Sequence, residues 1–494
     1  MKRSVKDWTW RRSCVPNGGV RRHVRRGPVI SALLLAASMV GCVTGAPRTS
    51  SMPLGPTPPA RDTSLATPWW RAFGAPALDT LIAEALRASP SVSAAEATLR
   101  QAEALVAARA GVNRFPQADA GVGVQRQRVN PATFGQPGEP REFGLQSATV
   151  NVRYRLDLAG GNRRALEALA ARSDYQRYQL VGARLTLAAT IASAAVQQAQ
   201  LSAQLEATEE ILRQQEEDLA ISRERLRLGA ASPDEVFANQ SRVAQTRADV
   251  LARRTLRQQN EHLLAVLAGR EPGVGRQPQF SMADIELPAN LPTVVASEIL
   301  RGRPDIQAAE ALMRAADAEH GAAVAKLYPQ LDLSAALGSQ ALSSGVLFGS
   351  GSVVWTLLAQ LTQPLFNPGL RAEKRAALAA FDAAASHYQG VVLESLRNTA
   401  DLLIALDNDA RIVVELTSAA DASLAALASS QRQYALGAVS YREVLASGQA
   451  AQQVRMALVA AHAKQLIDAV ALHQAVGGAP ASSRDTQPSG SEQP

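Results

Sequence analysis

The sequence predicts an α+β chain that lends four β-strands to a transmembrane barrel and pairs long α-helices as coiled coils. Three observations carry the prediction. The chain repeats itself, each repeat holds one isolated pair of period-two segments, and each pair leads into a helical run with almost no helix breaker.

The duplication comes first. LRASPSVSAAEATLRQAEA (86–104) aligns with LRGRPDIQAAEALMRAADA (300–318), setting Pro90 on Pro304 and Glu96 on Glu310. Phe115-Pro116-Gln117 then matches Tyr328-Pro329-Gln330 with a slip of one residue, and Leu228-Gly229-Ala230 matches Leu436-Gly437-Ala438. The chain divides into a first repeat (69–270), a linker dense in Gly and Pro (271–292), a second repeat (293–478) and a polar tail (479–494).

The strands follow from alternation. In the first repeat Ala118, Ala120, Val122 and Val124 alternate with Gln117, Asp119, Gly121 and Gly123. Val150, Val152, Tyr154 and Leu156 alternate with Thr149, Asn151, Arg153, Arg155 and Asp157. The second repeat sets Leu331, Leu333, Ala335 and Leu337 against Asp332 and Ser334, then Val353, Trp355, Leu357 and Leu361 against Thr356, Gln360 and Thr362. A soluble sandwich also alternates, but it does not leave two strand pairs separated by long helical runs. Charges on one face suit a watery lumen and the apolar face suits lipid. Four strands cannot close a barrel, for which about eight are the practical minimum, so several chains must share one. Segments 128–143 and 339–352 are its expected outer loops.

The helices follow from spacing. From Arg163 to Leu228 there is no proline and one glycine, Gly182. Leu205, Leu212, Leu219 and Leu226 repeat every seven residues, as do Leu406, Val413, Ala420, Leu427 and Tyr434. The return helices carry Val236, Val243, Val250 and Leu264, and Val444, Ala451, Leu458 and Leu472. A 3.5-residue period calls for left-handed coiled-coil packing. Residues 183–199 (ARLTLAATIASAAVQQA) are small enough for neighbouring helices to pack closely on both sides, in the wall of a tube or in an ordinary bundle.

Charge and the N-terminus decide the compartment. The net charge of +7 invites a nucleic-acid reading, but residues 1–41 hold nine Lys or Arg and one acid, a contribution of +8 that leaves the remainder near −1. A basic segment, the apolar run Val29–Val40 and a small residue describe a secretory signal over 1–41, so nucleic acid is dropped as a partner. Cys42 follows it directly, and Cys14 lies within the removed segment, so the mature chain has no internal disulfide. Residues 42–68, rich in Pro, Ser and Thr, read as a tether. No later segment reaches 18 uninterrupted apolar residues.

The glycine stops end the helices. Gly229 and Gly437 suit a left-handed C-terminal stop, Ser232 and Ser440 the next N-cap, and Glu235 and Glu443 the third helical position, a capping box in each repeat. This chemistry makes tight hairpins whatever the function. GxSxG, P-loop, HExxH and CxxC motifs are absent, GVGVQR (121–126) alternates as a strand, and His262, His320, His387, His462 and His473 lack metal-ligand spacing. The expectation is no enzyme, no metal and no cofactor beyond a lipid.

Taken together, the duplicated layout, the turns, LDLAGGNRRA (156–165) and PLFNPGLRAEKRAA (364–377) resemble the TolC-like outer-membrane efflux family, in its lipoprotein branch serving resistance–nodulation–division pumps. Met39-Val40-Gly41-Cys42 resembles a lipobox, which implies a lipidated Cys42 and, with Val43 following it, the outer membrane. Ala159 departs from the family's usual Phe. The resemblance implies a homotrimer with a twelve-strand barrel in outer-membrane lipid and a helical tunnel in the periplasm. A periplasmic adaptor and an inner-membrane pump would complete a passive efflux path. It also implies that the turns (Gly229, Ser232, Gly437, Ser440) meet the adaptor and that Asp234, Glu235, Tyr434 and Glu443 line a periplasmic gate. An exit duct for secreted polypeptides and a poreless coiled-coil scaffold lipoprotein remain the alternatives.

Overall fold

The computed structural model describes residues 68–478 apart from 136, 276–277, 290 and 292–300. The signal segment, Cys42, nearly all of the tether and the tail lie outside the described residues. A 3₁₀ turn (Trp69–Phe73) leads into α1 (Pro76–Ala88) and α2 (Pro90–Arg114). Strands β1 (Gln117–Val129) and β2 (Arg141–Leu156) precede the long helix α3 (Gly161–Arg227) and its return α4 (Pro233–Leu267). The second repeat gives α5 (Pro304–Ala325), β3 (Gln330–Ala341), β4 (Val353–Thr362), the long helix α6 (Pro368–Ala435) and its return α7 (Tyr441–Ala475). At 67 and 68 residues, α3 and α6 each run about 100 Å.

The four strands form one antiparallel sheet in the order β1-β2-β3-β4. Its register keeps each alternating set together: Ala120, Val150, Leu337 and Trp355 are cross-strand neighbours on one face. Arg153 stands opposite Gln117 and Ser334 on the other. On the polar face Arg155 pairs with Asp332 at 2.7 Å and Arg153 with Asp119 at 3.9 Å. On the apolar face Val122, Trp355 and Leu357 are more than 70% exposed. β1 and β4 are the sheet's edges.

The helices keep the strands' lateral order. Each strand is continuous in chain with one helix: α2 enters β1, β2 enters α3, α5 enters β3 and β4 enters α6. Helix α3 packs against α2 and α4 on one side and α5 and α7 on the other, and α6 packs against α5 and α7. The columns therefore run α2/α4, α3, α5/α7, α6, in step with β1, β2, β3, β4. The Ala-rich stretch of α3 is buried at Ala188, Ala192, Ala195 and Ala199, as small residues flanked on both sides require. The heptad residues Leu205, Leu219, Val236, Val243 and Val250 are buried, as are Val444, Ala451 and Leu472. A core centred on Trp69, Phe73, Ile82, Ile191, Leu264 and Val470 joins the start of the first repeat to the ends of both return helices. The Gly/Pro linker docks on it through Phe280, whose N–H donates to Gln198 Oε1, and Glu286, whose N–H donates to Phe73 O.

Candidate functional site at the hairpin turns

Both glycine stops turn the chain as their sequence requires. Gly229 (φ 72°) and Gly437 (φ 74°) are left-handed, where an L side chain is strained. Gly229 N–H donates to Leu226 O and Ala230 N–H to Arg225 O. Gly437 repeats this to Tyr434 O, and Ala438 to Gln433 O. These paired bonds are a Schellman motif in each repeat.

The two following caps differ. Ser232 Oγ accepts from Glu235 N–H at 3.3 Å, with Pro233 at the first helical position. Ser440 makes no side-chain cap; Glu443 N–H instead donates to the Ser440 carbonyl at 3.0 Å. The expected capping box in each repeat is therefore corrected to a serine cap in the first alone, and there Glu235 turns away from the cap. The two glutamates also diverge. Glu443 and Asp234 are exposed, whereas Glu235 is half-buried and accepts from Arg225 at 3.2 Å and Arg442 at 2.7 Å.

Arg442 is the centre of a cross-hairpin network that the motif reading missed. From the first turn of α7 it donates to Glu235 on α4 and, through Nε, to Asp218 Oδ1 on α3 at 3.1 Å. Beside it Tyr441 donates its hydroxyl to Glu217 at 2.8 Å, which pushes the phenol pKa up because the carboxylate bond favours the neutral form. Tyr434 rests against Tyr441 with ring centroids 5.2 Å apart. Beneath them Asn239 donates to Ser222 Oγ at 2.5 Å, and Ser222 donates to the Asp218 carbonyl. The sequence did hold a signal for Arg442. A cation in the first turn of a helix opposes the macrodipole, so its placement there calls for acidic partners.

The arrangement ties the second hairpin to the first through ion pairs and hydrogen bonds at this end. It contains no nucleophile–base pair, and among the described residues no group of three or more His, Cys, Asp or Glu is placed to hold a metal. Its chemistry is that of a latch: ion pairs at one end of an array of helices whose other end is a lipid-suited sheet.

Known proteins place this array. The sequence pattern described as outer membrane efflux protein matches residues 81–270 and again residues 295–478. The chain belongs to that family. Among its relatives, the pyoverdine export outer membrane protein OpmQ of Pseudomonas aeruginosa is 32% identical over 427 residues, 83% of this chain and 87% of that protein. A probable outer membrane lipoprotein of Salmonella typhimurium, SilC, is 25% identical over 89% of this chain and 96% of its own length. The structure of the outer-membrane channel OprN superposes with a TM-score of 0.76 at 26% identity, covering 86% of this chain and 95% of that one. That of VceC from Vibrio cholerae gives 0.73 at 25% identity, covering 83% and 98%. The fold is thus that of the TolC-like channels, and the chain is an outer-membrane efflux protein, not an enzyme. Its sheet belongs to the membrane and its helices to the periplasm, which puts the latch at the periplasmic end.

Proposed function

We propose that three copies of this chain form a passive exit duct for small molecules, anchored by a lipid on Cys42 and fed by an inner-membrane pump through a periplasmic adaptor. The observation that carries this reading is the match between the two unfilled sides of the chain. On one side stand β4 and α6, with Leu393, Leu396, Ile404 and Val414 exposed on one stripe of α6. On the other stand β1, α2 and α4, with Leu105, Leu251, Leu256, Leu263 and Val266 exposed. An open sheet edge and an apolar helix face at each end of one four-column order are what a ring of copies would cover. Three copies would supply twelve strands, enough to close.

The pump side is supported by the relatives, among which proteins named for pyoverdine export and toluene efflux fit a small-molecule cargo. The glycine turns, exposed with Leu228 and Leu436 at their tips, are the surface offered to an adaptor. The purified full-length protein in planar bilayers tests the reading. The expected result is a trimeric mass and discrete conductance that rises when Arg442 is replaced. A poreless assembly with the latch broken would overturn it in favour of a scaffold.

A further inference from the structure

We infer that the outward face of the β1–β2 hairpin binds phosphate groups of phosphorylated glycolipid headgroups in the outer leaflet, through Arg126 and Arg128. The inference rests on the barrel orientation above, with segments 130–135, 137–140 and 342–352 on the outside.

Follow the lipid-suited face along β1 from the periplasmic end. Ala118, Ala120, Val122 and Val124 occupy it, and the next two positions on the same face are Arg126 and Arg128. The partner strand changes at the same level. Opposite Val124 stands Gln146, opposite Arg126 stands Gly144, and opposite Arg128 stands Glu142. The β1–β2 ladder runs on to Val129 and Arg141, whereas β2–β3 pairing stops at Gln146. The arginines therefore stand on a two-stranded ribbon projecting past the apolar belt, at the depth of headgroups rather than acyl chains.

Their charge is under-used within the chain. Arg126 and Arg128 share one carboxylate, Glu142, at 3.4 and 3.9 Å, and their side chains are 82% and 66% exposed. Most of ten guanidinium N–H donors are thus left to solvent or lipid, and an exposed pair so long contributes little. Gly144 leaves space beside Arg126: a Cβ there would meet only Gln125 O, at 4.0 Å. Two guanidinium groups about 7 Å apart along a strand, bordering that gap, fit a phosphate monoester that each can grip by two N–H groups. A free ring of water-facing arginines would have no reason to sit on the lipid side of the barrel.

Native mass spectrometry of the detergent-purified full-length channel, titrated with bis-phosphorylated lipid A, tests this. The wild type is expected to retain lipid A, and Arg126→Gln/Arg128→Gln to bind it on the order of 20-fold more weakly. The Arg126→Lys/Arg128→Lys variant should keep most of the binding, and fully dephosphorylated lipid A should bind wild type and Gln variant alike. Equal retention of bis-phosphorylated lipid A by wild type and the Gln variant overturns the proposal, as does displacement by millimolar inorganic phosphate, which would mark a free-anion site. Bilayer conductance is measured in parallel. Its absence counts against the channel reading, while arginine-dependent retention of lipid A would still support this one.

Discussion

Helices α3 and α6 are matched copies, 67 and 68 residues long, and their surroundings are opposite. Two dozen residues of α3 are buried, among them Ala188, Ala189, Ala192, Ala194, Ala195 and Ala199 with Ile191, Val196 and Gln198 between them. Along α6 only Val392, Ser395, Thr399 and Asp409 are buried. Each helix carries an apolar stretch long enough to span a bilayer; that of α3 is 56% buried and that of α6 wholly unburied. Duplication gave both the same length and heptad, and position in the array gave them different neighbours. The inner copy has a column on each side, and its small residues Ala188, Ala192, Ala195 and Ala199 let those helices approach. The outer copy has Leu393, Leu396, Ile404 and Val414 on a face that none of the described residues covers. That asymmetry is the clearest physical sign that the folded unit is more than one chain.

The largest expected effects come from breaking the two helices in parallel. Ala195→Asp puts a charge where exposure is zero, with columns on both sides. Several kcal/mol of destabilisation is expected, with loss of the fold by circular dichroism. The double change Leu396→Asp and Ile404→Asp, on the exposed stripe of α6, should leave helix content intact and abolish the trimer by light scattering. If both variants unfold the protomer, the distinction between an inner and an outer copy fails.

Next in size is the latch. Asp218 is almost wholly buried and Arg442 is its cationic partner across the hairpins. Arg442→Glu sets an acid against Asp218 and Glu235, and a loss of about 1–3 kcal/mol at the tip is expected. Single-channel conductance should rise severalfold. Glu443→Ala removes an exposed carboxylate, and its effect on conductance should be much smaller. A larger effect for Glu443 would place control of conductance on the exposed carboxylates that the family resemblance implies rather than on Arg442.

The contrast also marks what was legible in the chain. Alternation named all four strands, because a side-chain period of two is local and each face meets a single medium. The glycine stops were legible for the same reason: φ near +70° is a property of one residue. Arg442, Tyr441, Glu217 and Asp218 were not singled out. Their bonds join residues 224 positions apart and exist only after α7 lies on α3. The caps failed differently. Ser232 and Ser440 share S-x-x-E and nearly the same backbone angles, φ −87° and −79° with ψ 156° and 155°. What separates them is whether the hydroxyl accepts from the glutamate N–H, with Pro233 following one serine and Tyr441 the other.

That difference gives a smaller and sharper prediction. Ser232→Ala removes an observed cap bond and should cost about 1 kcal/mol. Ser440→Ala removes none and should be near neutral by thermal melting. Equal losses would mean that both hydroxyls cap in solution and that the repeats are alike at their turns.

The smallest effect concerns where the two return helices end. The end of α4 is sealed by Leu264, Ala265 and Ala268 with Phe280, all apolar. The end of α7 instead buries His473, stacked on Trp69 with ring centroids 5.3 Å apart and with neither ring nitrogen hydrogen-bonded. Burial pushes the imidazole pKa down from its ordinary value of 6.5, since the cation would lose its hydration without gaining a partner. The folded state therefore holds fewer protons than the unfolded one below that value, so stability must fall as pH drops beneath about 6.5. His473→Phe keeps the stacking surface and deletes the titration. Its melting temperature should lose that acid-side decline, while the wild type keeps it and the two converge above pH 7. An identical pH profile in both would assign the decline to carboxylates such as Glu84, whose pairing with Arg270 lowers its pKa and whose loss of stability begins only at more acidic pH.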